Sequence, residues 1–254
     1  MPHFKDLIKS LIKKIIKGKT RSLCMTDAYP KKPARDNVNF FRNRCFNQKN
    51  KALIEAAAKF DTTFLLRHIY DQDLKHPEEY FDEKFSNRYG LQKIYELITI
   101  NRTAMTILDI ACGNAALLKE LQKNGHNVIG IDISPVRILN NQRHIRKLYL
   151  ALAEALPLED ESADIVVATE ALEHVFDLDK TLKECYRVLK KGGEMFIQVP
   201  LENFADGTNH LRHFNENSIG FCLESYNFSI KKIKLIPYLT PPTPGWIGEG
   251  IIYL

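Results

Sequence analysis

Asp109 and Asp132 stand 23 residues apart, each near the end of a short apolar run: Ile107-Leu108-Asp109-Ile110 and Val128-Ile129-Gly130-Ile131-Asp132. After the first run comes Ala111-Cys112-Gly113-Asn114-Ala115, whose small residues let the backbone approach a bound molecule closely. A strand that opens into such a loop, followed by an acid at this distance, suits a ribose-bearing ligand whose diol the acid grips. Charge narrows the choice of ligand. A dinucleotide would lay its anionic pyrophosphate over the first loop, where Asp109 repels it. A ligand carrying an ammonium and a sulfonium is attracted there instead. The dinucleotide glycine fingerprint is also poor, because Ala111 and Ala116 occupy two of its three glycine positions.

Three further groups could do chemistry. His174 is suited to act as a base near neutral pH, or else serves only as a structural histidine capping a helix. Glu170, Glu173 and His174 spell E-x-x-E-H, and hard cations favour such carboxylates. The same acids also suit a solvated first helical turn, and no metal ligand set is assigned. His210, Arg212 and His213 lie in Asn209-His210-Leu211-Arg212-His213-Phe214, as a site for an anionic or hydroxylated substrate or as a plain surface loop.

These residues need elements to hold them. Apolar runs at Thr106–Ile110, Val128–Ile133, Ile165–Ala168 and Glu194–Val199 read as buried parallel strands. Leu117–Lys123, Val136–Arg146 and Leu178–Leu189 read as the helices between them, with Gly192-Gly193 ending the last. A helix near Asn215–Glu224 and strands over Phe228–Ile236 and Glu249–Leu254 follow. The alternation implies an α/β, doubly wound, mostly parallel sheet. Such a sheet binds its ligand beyond the carboxyl ends of its strands, so the loops after Ile110, Ile133 and Ala168 should form the site.

The net charge of +5 is unevenly spread. Residues 1–51 hold 14 Lys/Arg against 3 Asp, a net of +11, and the remainder holds 22 basic and 28 acidic residues, a net of −6. That disfavours a protein whose whole surface binds nucleic acid. Phe4, Leu7, Ile8, Leu11, Ile12, Ile15 and Ile16 fall on one side of a helical wheel, opposite Lys5, Lys9, Lys13 and Lys17. This basic amphipathic helix either lies on an anionic membrane surface or packs its apolar stripe on the body. The chain divides into a helix and linker (1–50), a helical cap (51–100) and the α/β domain (101–254). Five scattered cysteines suggest a reduced compartment, and no apolar run reaches the length of a membrane span.

Read together, ILDIACGNA resembles motif I of class I S-adenosylmethionine-dependent methyltransferases, and GIDIS resembles the ribose motif that follows. AEALPLEDESADIVVATEALEHV resembles their third and fourth motifs, and RVLKKGGEMFIQVP their strand-five motif. The resemblance runs from about Phe85 to Tyr238. It is to small-molecule enzymes that include the ubiquinone-biosynthesis O-methyltransferases. It implies a Rossmann-like seven-stranded sheet and S-adenosylmethionine as cofactor. Asp109, Ala111, Cys112 and Gly113 would line the methionine part, Asp132 and Ile133 the ribose, Ala153 and Glu154 the adenine, and Thr169 the sulfonium. Arg88 would grip the cofactor carboxylate. Two motif I glycines are alanines here, and Leu152 stands where an acid often precedes Glu154, so Glu154 or the backbone must read the adenine.

The expected activity is methyl transfer to an O or N atom of a small-molecule, lipid-linked or glycan acceptor. The expected location is cytoplasmic or at the inner membrane surface, with contact through residues 1–20. Two other classes compete. An RNA methyltransferase is disfavoured, because TEAL stands where a base-methylating tetrad would follow the fourth strand. A non-catalytic S-adenosylmethionine-binding module would keep both acids without turnover.

Overall fold

A computed structural model describes residues 85, 89–200, 210–212, 214, 216–236 and 249–253. The expectations for residues 1–50, for most of the helical cap, and for Arg88 and His213 lie outside these residues.

The periodicity of the sequence becomes alternating elements. Helix α1 (Tyr89–Thr99) precedes β1 (Thr106–Ile110), α2 (Ala116–Lys123), β2 (Asn127–Asp132), α3 (Pro135–Asn141) and β3 (Leu148–Leu150). Then come β4 (Ala163–Thr169), α4 (Leu178–Val188), β5 (Leu189–Pro200), α5 (Glu216–Glu224), β6 (Lys232–Ile236) and β7 (Glu249–Tyr253). The sheet order is β3-β2-β1-β4-β5-β7-β6. The first five strands in that order are parallel, while β7 runs antiparallel to both β5 and β6. The order reverses between β1 and β4, and this is the switch point where such sheets open a crevice.

Strand residues alternate between two cores. Leu108 and Ile110 of β1, Ile129 and Ile131 of β2, and Val166 and Ala168 of β4 face one cluster, which α4 and α5 cover with Leu182, Val188, Ile219 and Leu223. Ile107, Val128, Ile165 and Val167 face the other, covered by Ile94 and Ile98 of α1 and Leu117 and Leu121 of α2. Each fully buried Leu or Ile contributes about 1.5–3 kcal/mol, so the sheet is anchored from both faces. Gly130 is packed tightly against its neighbours. A Cβ on it would lie 2.7 Å from Leu118 Cδ1 and 2.9 Å from Cys112 Sγ.

Several elements differ from the sequence reading. Leu148–Leu150 is a short edge strand that three residues could not announce. Helix α3 starts at Pro135 behind the cap Ser134, whose Oγ accepts from Arg137 N at 3.2 Å, and it ends at Asn141 instead of Arg146. Helix α4 closes at Val188, so Gly192 and Gly193 fall inside β5 and do not end the helix. The later strand starts at Lys232, not Phe228.

Candidate cofactor and acceptor site

The carboxyl ends of β1 and β2 are held together at the loop that joins β1 to α2. Cys112 N donates to Ile131 O at 2.9 Å. Asp132 carries the rest: its Oδ2 accepts from Gly113 N at 2.8 Å and its Oδ1 from Ser134 N at 2.8 Å. One buried carboxylate thus fixes both the first loop and the start of α3. To turn this tightly, Ala111, Gly113 and Ala115 all take left-handed backbone, with φ of 53°, 55° and 53°. Only the glycine does so without strain, and each alanine costs roughly 1–2 kcal/mol. Ala111 and Ala115 therefore keep a backbone that favours glycine, whereas Ala116, the other alanine at a dinucleotide glycine position, simply begins α2.

Asp109 is buried near the end of β1, paired in register with Gly130 of β2. Cys112 lies between the two acids. Burial, and then Asp132 and Asp109, push its thiol well up, so it stays protonated and inert. The guanidinium of Arg137 closes over the loop, 2.9 Å from where a Cβ on Gly113 would sit. The Ser134-Pro135 cap was a readable signal for this corner, but Arg137 carried none.

The loop after β3 is pinned from α4. Glu154 is buried, and its Oε1 accepts from Phe176 N at 2.6 Å and Asp177 N at 3.0 Å. Burial raises its carboxyl above the usual range, and the backbone donors offset part of that rise. This oxygen is committed to the loop ahead of α4, so Glu154 joins the two loops that flank the adenine position implied by the resemblance. Nearby, Glu184 Oε2 accepts from Leu156 N at 2.8 Å, while Arg187 grips both Glu184 oxygens and Leu158 O.

After β4 the chain makes turns, not a helix. Thr169 ends the strand, Glu170 takes φ 49°, and the next helix waits for its cap at Asp177. The reading of Glu170 and Glu173 as a solvated first helical turn is therefore corrected. Glu170 Oε1 accepts from Gln198 Nε2 at 3.1 Å, and Glu173 is fully buried. The E-x-x-E-H triplet does not converge as a unit. Glu173, His174 and His210 do: their ligand atoms all lie within 4.8 Å of one another, a spacing compatible with a metal ion. The His174 and His210 rings meet edge-on at 4.7 Å, and His174 Nε2 lies 3.8 Å from Glu173 Oε1. His174 is 42% exposed over its side chain while Glu173 is 0%, so the imidazole reaches solvent from a buried acid.

Arg212 is placed differently from His210. It is buried, and its guanidinium donates to Leu172 O at 2.8 Å, to Val175 O, and to Phe176 O at 3.3 Å. Leu211 N adds a bond to Glu173 O at 2.8 Å. The segment after β5 therefore clamps the loop after β4.

The switch point of the α/β sheet thus holds two buried acids and a left-handed small-residue loop, and the loops after β4 and β5 bring a histidine pair together. Residues 108–197 match the protein family described as "Methyltransferase domain". The mitochondrial ubiquinone biosynthesis O-methyltransferase of Mus musculus is 37% identical over 105 residues, covering 37% of this chain and 28% of the mouse protein. The ubiquinone biosynthesis O-methyltransferase of Coxiella burnetii is 31% identical over 124 residues, covering 46% and 52%. The chain thus spans about half or less of the curated relatives it matches. Among solved structures, a Burkholderia thailandensis didemethyltoxoflavin N-methyltransferase with bound S-adenosylhomocysteine superposes with a TM-score of 0.60. It is 15% identical, and the match covers 78% of this chain and 88% of that one. The cyclase SpnF superposes with a TM-score of 0.52 at 21% identity, covering 57% and 58%. No helix among the described residues is long and apolar enough to cross a membrane.

Proposed function

We propose that the protein transfers a methyl group from S-adenosylmethionine to an oxygen or nitrogen of a small-molecule or lipid-linked acceptor, with a hydroxyl acceptor favoured. The observation that carries this is the convergence of Asp109, Asp132 and the left-handed loop at the switch point. The residues fit the cofactor. Asp132 uses one lone pair on each oxygen for the backbone and keeps a second on each for the ribose hydroxyls. Asp109 supplies the negative charge that an ammonium and a sulfonium need. Ala153 and the backbone around it read the adenine, because Glu154 is engaged with Phe176 and Asp177. The cofactor, when bound, supplies an electrophilic methyl group.

The remaining work is positioning and proton removal. Thr169 borders the methyl position at the end of β4. His174 and His210 face each other there, and a neutral imidazole takes the proton of an acceptor hydroxyl. Buried Glu173 favours the charged imidazole that results. Arg212 holds the loop that carries His174 and is a positioning residue. The hydroxyl preference rests on the ubiquinone-biosynthesis relatives, which are O-methyltransferases by name. A membrane-surface location rests on the basic amphipathic stretch at residues 1–20.

The test has two stages. Calorimetry of the purified protein with S-adenosylmethionine and with NAD should show tighter binding of the former. Incubation with the cofactor and a panel of phenolic, polyprenylated and amine acceptors should then yield an acceptor heavier by one methylene. Tighter NAD binding would sink the cofactor reading. Cofactor binding without turnover on any acceptor would leave a binding module.

A further inference from the structure

We propose that the cavity between α2 and α3 is a second binding site, which takes a phosphate-bearing ligand on Lys119 and Arg143. The cavity has a volume of about 310 Å³ and is lined by Lys119, Arg143 and His144, by Asn114, Asn140 and Asn141, and by one apolar side chain, Leu139. No carboxylate lines it. The chemistry is therefore that of cations and neutral donors, and it suits an anion.

The donors are arranged, not merely present. Lys119 Nζ donates to Asn114 O at 3.0 Å and to Asn141 Oδ1 at 2.7 Å, which fixes the ammonium and leaves its third proton for a ligand. Asn141 is itself buried and anchored, since its Nδ2 donates to Arg137 O at 2.8 Å. Arg143 Nε donates to His144 Nε2 at 3.1 Å, which puts the neutral imidazole proton on Nδ1. The outer nitrogens of the guanidinium form a fork that matches two phosphate oxygens.

Charge balance supports the same reading. From Ala116 to Tyr149 the chain carries Lys119, Lys123, Arg137, Arg143, Arg146 and Lys147 against Glu120 and Asp132. Asp132 is turned into the cofactor loop, and Glu120 pairs with Lys123 at 2.7 Å. The residues after 51 are net acidic, so this edge is a local basic exception. Burial, and then Arg143, lower the pKa of Lys119. An anion seated between the two cations would relieve that repulsion.

One ligand chemistry has two sources here, a soluble phosphorylated metabolite or the headgroup of an anionic lipid. The experiment uses the full chain at low salt, as wild type, Arg143→Gln and Lys119→Gln. Calorimetry measures inorganic pyrophosphate binding, and sedimentation measures association with phosphatidylglycerol vesicles against phosphatidylcholine ones. Each substitution should weaken pyrophosphate binding by about tenfold, the loss of one charge-assisted contact. If Arg143→Gln also releases the protein from phosphatidylglycerol, the ligand is a headgroup. If vesicle binding is unchanged, the ligand is soluble. Pyrophosphate affinity that is absent in the wild type, or equal in wild type and Arg143→Gln, overturns the proposal. Arg143 is exposed, so its variant folds. A parallel S-adenosylmethionine titration keeps the result separate from the methyltransferase reading.

Discussion

Gly113 and Asp132 are joined by a 2.8 Å hydrogen bond from the glycine amide to the carboxylate, which ties the first loop of the site to the end of the second strand. The other oxygen of the same carboxylate accepts from Ser134 N, so Asp132 holds together the corner at which the cofactor is proposed to bind. Asp132→Ala removes two charge-assisted bonds and leaves two amides in a buried corner. It should lower stability by about 2–4 kcal/mol in urea unfolding and weaken S-adenosylmethionine binding at least about tenfold. A folded variant with an unchanged dissociation constant would remove Asp132 from the site.

Much of this corner could be read from the chain, because its signals are local. The apolar runs around Asp109 and Asp132 alternate across the sheet over a few residues, and the small-residue loop follows directly. The roles of Arg212 and Glu154 could not be read in the same way. Arg212 looked like an acceptor ligand beside two histidines, yet its partners are carbonyls 36 to 40 residues upstream. Glu154 looked like an adenine ligand, yet its partners are amides 22 and 23 residues downstream. Nothing in the sequence near either residue names such partners. The pairing of His174 with His210 is long-range for the same reason. Both were visible as candidates, but their convergence with Glu173 instead of Glu170 depends on the left-handed turn at Glu170.

That strain can be measured in the first loop. Ala111 holds φ 53° and is only partly buried, so Ala111→Gly relieves a left-handed alanine at little packing cost. The gain exceeds the extra entropy glycine brings to the unfolded chain. Urea unfolding should show the variant more stable by about 0.5–1 kcal/mol. A loss of stability would mean that the loop is not strained as described.

Arg212 offers the opposite sign. Arg212→Met keeps the length and apolar stem but leaves the carbonyls of Leu172, Val175 and Phe176 without their donor. Thermal and urea unfolding should register a loss of about 2–4 kcal/mol. If stability holds and only acceptor KM rises, Arg212 contacts the substrate and is not a clamp.

His174 is the residue proposed to take the acceptor's proton. With an acceptor identified, His174→Ala should lower kcat about 100-fold or more and leave S-adenosylmethionine affinity unchanged. The role assigned to the histidine pair requires no metal, so activity should survive a chelator. Activity lost to the chelator and restored by a divalent cation would instead make Glu173, His174 and His210 a metal site. An unaltered kcat would leave His174 a structural residue.

Glu154 gives a prediction in pH. Burial holds its carboxyl above the ordinary 4.5, with the amides of Phe176 and Asp177 offsetting only part of the shift. Between the unfolded and folded values the native state therefore binds more protons than the unfolded chain. Stability attributable to this group is complete below about the unfolded value and falls as pH rises through the folded one. Glu154→Gln keeps an oxygen able to accept from both amides but cannot ionise. The variant should thus gain on the wild type as pH rises from about 4 to about 8, tracking the ionisation of Glu154. Urea midpoints of both proteins across that range supply the comparison. A difference that stays flat would mean that Glu154 titrates alike in the folded and unfolded chains. A difference that shrinks would mean that the two backbone donors outweigh burial and hold the carboxyl below its ordinary value.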